Sequence, residues 1–247
     1  MIKADIQFVR SLADKRTRDE ERLFVAEGSK LTEEILASGF VVRRIYTTRH
    51  DLKGKNIEII DQREMERISQ LKTANDTLAV VEQPRYKLSL ANLRGKLTIA
   101  LDGVQNPGNL GTIIRLADWF GVEDIICSKD TADCFNPKVI QATMGAILRV
   151  RVHYTDNLPA MLNEAHREGL NIYGTLLDGG NIYDEKLDAS GIVVMGNEGR
   201  GITDDTRKAL THRLLIPPYP ADAPTSESLN VAMATGIILA EFRRQHR

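Results

Sequence analysis

"LDGVQNPGNLGTIIRLADWFGV", residues 101–122, is the stretch on which the reading of this chain turns. An apolar run gives way to a short loop holding Asn106, Pro107, Gly108, Asn109 and Gly111, and an amphipathic stretch follows. A strand, a loop of this composition and a helix form the first half of a βαβ unit. The pattern predicts a helix over 109–120, with Gly108 and Gly111 allowing tight turns at its start. The unbonded N–H groups of such a start suit an anion or a polar ligand. Arg115 lies six residues after Asn109, close to two helical turns, so both side chains can face one cleft. Taken alone, the loop is read equally well as a helix cap with a surface arginine.

Outward from this stretch the alternation is regular. "LTIALDG" precedes it; "EDIICS", a helix near 137–145, "LRVRVH", a helix at 158–168, "NIYGTLLDG", "GIVVMGNEG", a helix near 203–210, "HRLLIP" and a last helix from about Leu229 to Arg244 follow. Apolar strands separated by helices predict a mostly parallel sheet covered on both faces. In such sheets ligands bind at the carboxyl ends of the strands. Up to residue 83 a second, smaller α/β pattern runs through "LFVAE", "SKLTEEILASG", "VVRRIYTT", "IEIID", "REMERISQL" and "TLAVVE". Ser29 resembles a helix start and Gly39 its end. Residues 84–96 carry Pro84, Gly95, four basic residues and no acidic one, the composition of a linker. The domains predicted are therefore 1–83, a linker at 84–96, and 97–247.

With 42% apolar and 27% charged residues and a net charge of −1, the 247-residue chain has the composition of a soluble globular protein with no global pull towards nucleic acid or membrane. Residues 1–96 hold 19 basic and 15 acidic side chains and the remainder 14 and 19, so the basic excess is local to the first part. Cys127 and Cys134 have no companion His or Cys cluster, which argues against a zinc site and a disulfide framework. No run has the length of a signal core or a membrane span, and the expected location is the cytoplasm.

Two further loops follow strands. "VVMGNEGRGIT", residues 193–203, places Gly196, Gly199 and Gly201 around Asn197, Glu198 and Arg200. This is not the dinucleotide fingerprint, and three glycines in six residues imply close approach by a ligand or another backbone segment. "LLIPPYPADAPTSESLNVAMATGIILAEF", residues 214–242, has Pro217, Pro218, Pro220 and Pro224 ahead of a helix that Ser226 or Ser228 can cap. That helix is apolar nearly all round until Glu241, so burial is expected, with a protein interface or an unusual topology as the reason.

Taken in order, "NPGNLGTIIRLADWFGV", "IVVMGNEGRGIT" and "IPPYPADAPTSESLNVAMATGIIL" resemble the three motifs of the SpoU (TrmH-like) RNA 2'-O-ribose methyltransferases of the SPOUT superfamily. The front of the chain, including "RLFVAEGSKLTEEIL", is similar to the small L30e-related substrate-binding domain that several members carry. The resemblance implies an α/β domain with a mostly parallel sheet and a C-terminal trefoil knot, preceded by a small α/β domain. It further implies S-adenosylmethionine as cofactor, RNA as partner, a homodimer formed through the knotted domain, and no metal. Gly196, Ile216 and Leu229 match cofactor-contacting positions, and Thr175 and Leu176 lie on the strand end that borders the cofactor. Arg115 matches the catalytic arginine, with Asn109, Glu198, Ser228 and Asn230 as its polar neighbours.

The implied reaction moves a methyl group from a sulfonium to a ribose hydroxyl, in ribosomal RNA in preference to transfer RNA. Alignment of oxygen, carbon and sulfur is then the main contribution expected of the protein. Arg115 suits two-point pairing with a phosphate. A guanidinium with a pKa above about 12 is poorly suited to act as a base, so phosphate positioning and proton removal both stay open for it. Glu198 is expected to position its neighbours. The third motif departs from the family pattern: nine residues, "YPADAPTSE", separate "IPP" from "SLN", and none is a glycine. The alternatives are a transfer RNA 2'-O-methyltransferase and a catalytically inactive RNA-binding protein of the same fold. A different nucleotide-dependent enzyme would need a phosphate-binding glycine fingerprint that the sequence lacks.

Overall fold

The computed structural model describes residues 1–52, 54, 56–220 and 228–246. In chain order the elements are α1 (Lys3–Ser11), α2 (Lys15–Glu21), β1 (Leu23–Glu27), α3 (Ser29–Ala37), β2 (Val42–Thr47), β3 (Ile57–Ile59), α4 (Gln62–Ile68) and β4 (Thr77–Glu82). Then come β5 (Leu97–Asp102), α5 (Pro107–Trp119), β6 (Asp124–Ser128), α6 (Pro137–Thr143), β7 (Arg151–Thr155), α7 (Leu158–Arg167) and β8 (Ile172–Asn181). The chain closes with β9 (Gly191–Gly196), α8 (Asp204–Lys208), β10 (His212–Leu215) and α9 (Val231–Gln245). Two compact units form, Met1–Arg85 with Asp133–Leu148, and Tyr86–Ala132 with Arg149–Arg247.

The first unit is built on a four-stranded sheet of order β1-β4-β2-β3, antiparallel except for the β2–β3 pair. Helices α1 and α2 belong to it, although no apolar run announces them. Only Ile6 and Val9 of α1 are buried. In α2, "KRTRDEE", the stabilising features are polar: Asp14 accepts from the N–H groups of Arg16 and Thr17, and Lys15–Asp19 and Arg16–Glu20 pair one turn apart. Arg18 of the same helix is buried, donating to the carbonyls of Leu12 and Ala13 at 2.8 and 2.7 Å and pairing with Asp133 at 2.5 Å. Residues 133–148 therefore supply part of this core, with Phe135 stacked on Phe24 at a centroid distance of 5.0 Å and α6 packed against β1. Ser29 does not cap α3; its hydroxyl bonds Asp76, Gly28 stands at the N-cap, and Ser38 rather than Gly39 ends the helix.

The second unit holds a six-stranded sheet of order β10-β8-β9-β5-β6-β7, parallel throughout. Strands β5 and β6 are buried over their whole length and β9 up to Gly196, which is why each reads as an unbroken apolar run. Leu158, Met161, Leu162 and Ala165 of α7 cover one face through Ala100, Ile126, Ile192 and Val194. From β5 the chain steps outward through β6 and β7, then returns to lay down β8, fill the slot between β8 and β5 with β9, and add β10 outside β8. The direction of winding thus reverses at β5, so the loops leaving β5 and β9 emerge side by side at one edge.

Helix α9 packs against α5 and β9. It is not buried all round as its composition suggested. Val231, Ala232, Thr235, Ile238, Leu239 and Phe242 face the core, while Met233 is 64% exposed and Ala240 is exposed. Glu241, by contrast, is buried, its carboxylate held by Arg244 and Gln245.

Candidate active site

Strands β5 and β9 end in register, Asp102 opposite Gly196, and each is followed by a loop whose conformation is set by its own side chains. After β5 the turn is made at Gly103, with φ of +74°. Gly108 and Gly111 do not form turns; both lie inside α5, which starts at Pro107 rather than Asn109. The cap is Asn106, whose Oδ1 accepts from the N–H groups of Gly108 and Asn109 at 2.8 and 3.2 Å. Asn followed by Pro at the first helical position is the signal that marks this start.

After β9 the chain makes a tight turn over 197–201. Asn197 Oδ1 accepts from the N–H groups of Gly199 and Arg200 at 2.9 and 3.1 Å, and its Nδ2 donates to the Gly103 carbonyl at 2.6 Å. The close approach foreseen from the glycines is made by the chain itself: a Cβ at Gly196 would run into the backbone of Gly201 and Ile202. Asp102, at the end of β5, accepts from the Thr203 N–H and hydroxyl at 2.7 and 2.8 Å. Asn106, Asn197, Asp102 and Thr203 thus frame the site.

Between the two loops lies Glu198. Its carboxylate accepts from the N–H groups of Gln105 and Asn106 at 3.3 and 3.1 Å and from Asn109 Nδ2 at 2.9 Å. Asn109 Oδ1 in turn accepts from Asn230 Nδ2 at 3.0 Å. Asn230 caps α9, its Oδ1 accepting from the N–H groups of Ala232 and Met233 at 3.0 and 3.3 Å. Neither serine fills this place: Ser228 is exposed two residues upstream, and Ser226 lies outside the described residues. Backbone donors at α9 fix the orientation of the Asn230 amide, the Glu198 carboxylate fixes that of Asn109, and the relay can run in one direction only. Burial pushes the Glu198 carboxyl up, but hydrogen bonds from Asn109 and from backbone N–H groups outweigh it and hold the group below the ordinary glutamate value. An ionised carboxylate already engaged by three donors positions its neighbours and is a poor proton acceptor.

Of the remaining expected residues, Arg115 is exposed on α5, and its side chain has no hydrogen bond or ion pair among the described residues. Its guanidinium is available to an incoming anion. Thr175 Oγ1 donates to the Val194 carbonyl at 3.2 Å, Leu176 is buried, Ile216 is half-buried just after β10, and Leu229 is 50% exposed. The register of β8 explains why Thr175 and Leu176 matter. Pairing of β8 with β9 stops at Gly174, and pairing with β10 jumps from Gly174 to Gly180, leaving residues 175–179 outside both ladders. The two ladders part beyond Gly174, at the carboxyl edge where parallel α/β sheets bind ligands. Among the described residues no cluster of His, Cys, Asp or Glu has metal-binding form, and Cys127 and Cys134 are buried without a disulfide.

Residues 96–240 match the model of the SpoU rRNA Methylase family. The chain belongs to this family. Residues 3–85 match the MRM3-like substrate binding domain. The SpoU relatives include the 23S rRNA (guanosine(2553)-2'-O)-methyltransferase RlmP of Bacillus subtilis, 32% identical over 95% of this chain and 94% of its own. A TrmH-family structure from Porphyromonas gingivalis superposes with a TM-score of 0.89 at 36% identity, covering 99% of both chains. An AdoMet-bound rRNA methyltransferase from Sinorhizobium meliloti superposes with a TM-score of 0.86 at 29% identity, covering 98% of this chain and 95% of that one.

Proposed function

We propose that this SpoU family member is an S-adenosylmethionine-dependent methyltransferase that modifies a ribose 2'-hydroxyl of ribosomal RNA. It acts in the cytoplasm as a homodimer, with the first unit engaging the RNA substrate and the second carrying the chemistry. The observation that carries this reading is the Glu198–Asn109–Asn230 relay, which ties the loop after β9 and the start of α9 to α5, the helix that carries Arg115. The names of the RlmP relative and the AdoMet-bound relative support ribosomal RNA and the cofactor.

Bound S-adenosylmethionine supplies an electrophilic methyl group. The chain's own contribution is geometric. The opening between residues 175–179 and Gly196 holds the cofactor through backbone groups, with Ile216 and Leu229 as apolar walls. Arg115 pairs by its planar fork with the phosphate next to the reacting ribose and sets the line of attack. Glu198, Asn109 and Asn230 keep α5, and so Arg115, in place. Two features support the assembly proposed. The return from β10, at the outer edge of the sheet, to α5 is what a threaded C-terminal segment requires, and Trp119, Met233 and Leu229 leave apolar surface on and beside the packed pair α5 and α9.

The test is incubation of the purified protein with methyl-labelled S-adenosylmethionine and total RNA from a strain lacking the gene, beside an Arg115→Ala variant. Label recovered in alkali-resistant dinucleotides, and lost with the variant, is the expected result. Measurable cofactor binding with no transfer to any RNA would overturn the reading.

A further inference from the structure

Arg200 stands two residues after Glu198 on the turn that Asn197 makes rigid. Its guanidinium lies over Gly103: a Cβ built there would come within 2.5 Å of Arg200 Nη2 and 2.9 Å of Asp130 Oδ2. Glycine at 103, with φ of +74°, suits both the turn and the close approach of these side-chain ends. Arg200 Nη2 donates to Asp130, and the pair is half exposed, with 51% and 45% of the two side chains accessible. The other guanidinium donors have no partner among the described residues.

Asp130 does not depend on this arginine. Its Oδ1 accepts from the Ser128 hydroxyl at 2.6 Å, and Ser128 Oγ also accepts from the Gly103 N–H at 2.8 Å. The Ser128 hydrogen bond is the first cause holding the Asp130 carboxyl below its ordinary value, ahead of Arg200. An exposed ion pair contributes little net stability, so exchanging this carboxylate for another anion costs little. The result is an arginine on a rigid turn at the mouth of the site, lightly held and with donors to spare.

We infer that Arg200 is a substrate-binding residue that takes a backbone phosphate of the RNA beside the target nucleotide, with Asp130 holding its guanidinium until the RNA arrives. This rests on the RNA methyltransferase reading and adds to it a second phosphate contact, separate from that of Arg115. Arg200 contributes the same binding to the ground state and the transition state, so its loss falls on KM rather than kcat.

The test uses the full-length protein with in vitro-transcribed, unmodified 23S ribosomal RNA, comparing wild type, Arg200→Gln, Arg200→Lys and Asp130→Asn. For Arg200→Gln the RNA KM is expected to rise about tenfold, as for one lost charged contact, with cofactor Kd unchanged. The dependence of log affinity on log salt becomes shallower by roughly 0.7 to 0.9. Arg200→Lys keeps the wild-type slope, and Asp130→Asn gives an equal or lower KM because the competing anion is gone. An unchanged salt slope with Arg200→Gln, or a loss confined to kcat or cofactor binding, would overturn the inference and make the pair a clamp on the turn at Gly103. Wild-type protein that binds RNA and cofactor but transfers no methyl group would count against the methyltransferase reading instead, since the salt slope reads the phosphate contact directly.

Discussion

Asn230 donates to Asn109 at 3.0 Å across 121 positions of sequence, and Asn109 passes the interaction on to Glu198 at 2.9 Å. Glu198→Gln breaks the relay while keeping its shape, because the new amide turns a donor or a single carbonyl towards three donors. A fall in kcat of about 100-fold is expected, with loss of about 1.5 kcal/mol of stability, the lower end for a hydrogen bond to a charged group. The pH dependence separates positioning from proton transfer. The folded-state pKa of Glu198 is lowered. Its contribution to stability is therefore fully present above the ordinary value near about 4.3 and is lost as pH falls through the lowered value. Denaturation of wild type and variant should differ by a constant amount from neutrality to mild acid, and the gap should close only below that range. An activity limb near neutral pH that vanishes in Glu198→Gln would show that the carboxylate acts as the base.

The seat of the turn after β9 makes a second prediction. At Gly196 a Cβ would enter the backbone of Gly201 and Ile202, whereas at Gly199 it would meet only Asn197 Oδ1 at 3.6 Å. Gly196→Ala should cost about 3 kcal/mol, the upper end for overpacking against backbone, and abolish cofactor binding. Gly199→Ala should leave both nearly unchanged. Urea denaturation and calorimetric titration with S-adenosylmethionine check the pair.

These features were legible in the sequence to different degrees, for physical reasons. β5, β6 and β9 are buried on both faces, so their unbroken apolar runs predict the parallel sheet directly. α2 carries its information in charges and a cap, and no hydrophobic period exposes it. The start of α5 is written in Asn106–Pro107, whereas the glycines point to Asn109, two residues too late. The contacts of Glu198 span 89 residues to Asn109, and no spacing rule connects them. The release of residues 175–179 from both ladders depends on where β9 is inserted, a property of topology that lies beyond the strand itself.

A third prediction concerns the buried pair Arg18–Asp133, separated by 115 positions, with side-chain exposures of 1% and 12%. Asp133→Ala strands a guanidinium in the first unit's core, and removing one member of a buried pair costs about 3–5 kcal/mol. Replacing both at once, Arg18→Met with Asp133→Leu, should recover most of that loss. A fragment ending at Arg85 lacks Asp133 and Phe135 and should melt well below the intact chain. Thermal unfolding by circular dichroism of the two variants and the fragment beside the intact chain measures this, and a fragment as stable as the whole would show that residues 133–148 add nothing to the core.

The exposed face of α9 supports the last prediction. Met233 is 64% exposed one turn into the helix, Leu229 is 50% exposed just before it, and Trp119 on α5 is 83% exposed. The relay itself lies at this surface, with Asn230 exposed and Asn109 only half-buried. A second copy covering the patch would bury apolar area and shield the Asn230–Asn109–Glu198 hydrogen bonds from water, which strengthens them. Met233→Asp places a charge in that contact while leaving the core face of α9 untouched. Sedimentation equilibrium should show a dimer for wild type and a monomer for the variant, with kcat falling at least tenfold because the frame around Arg115 loosens. Full activity in a monomeric variant would mean that one chain completes the site alone.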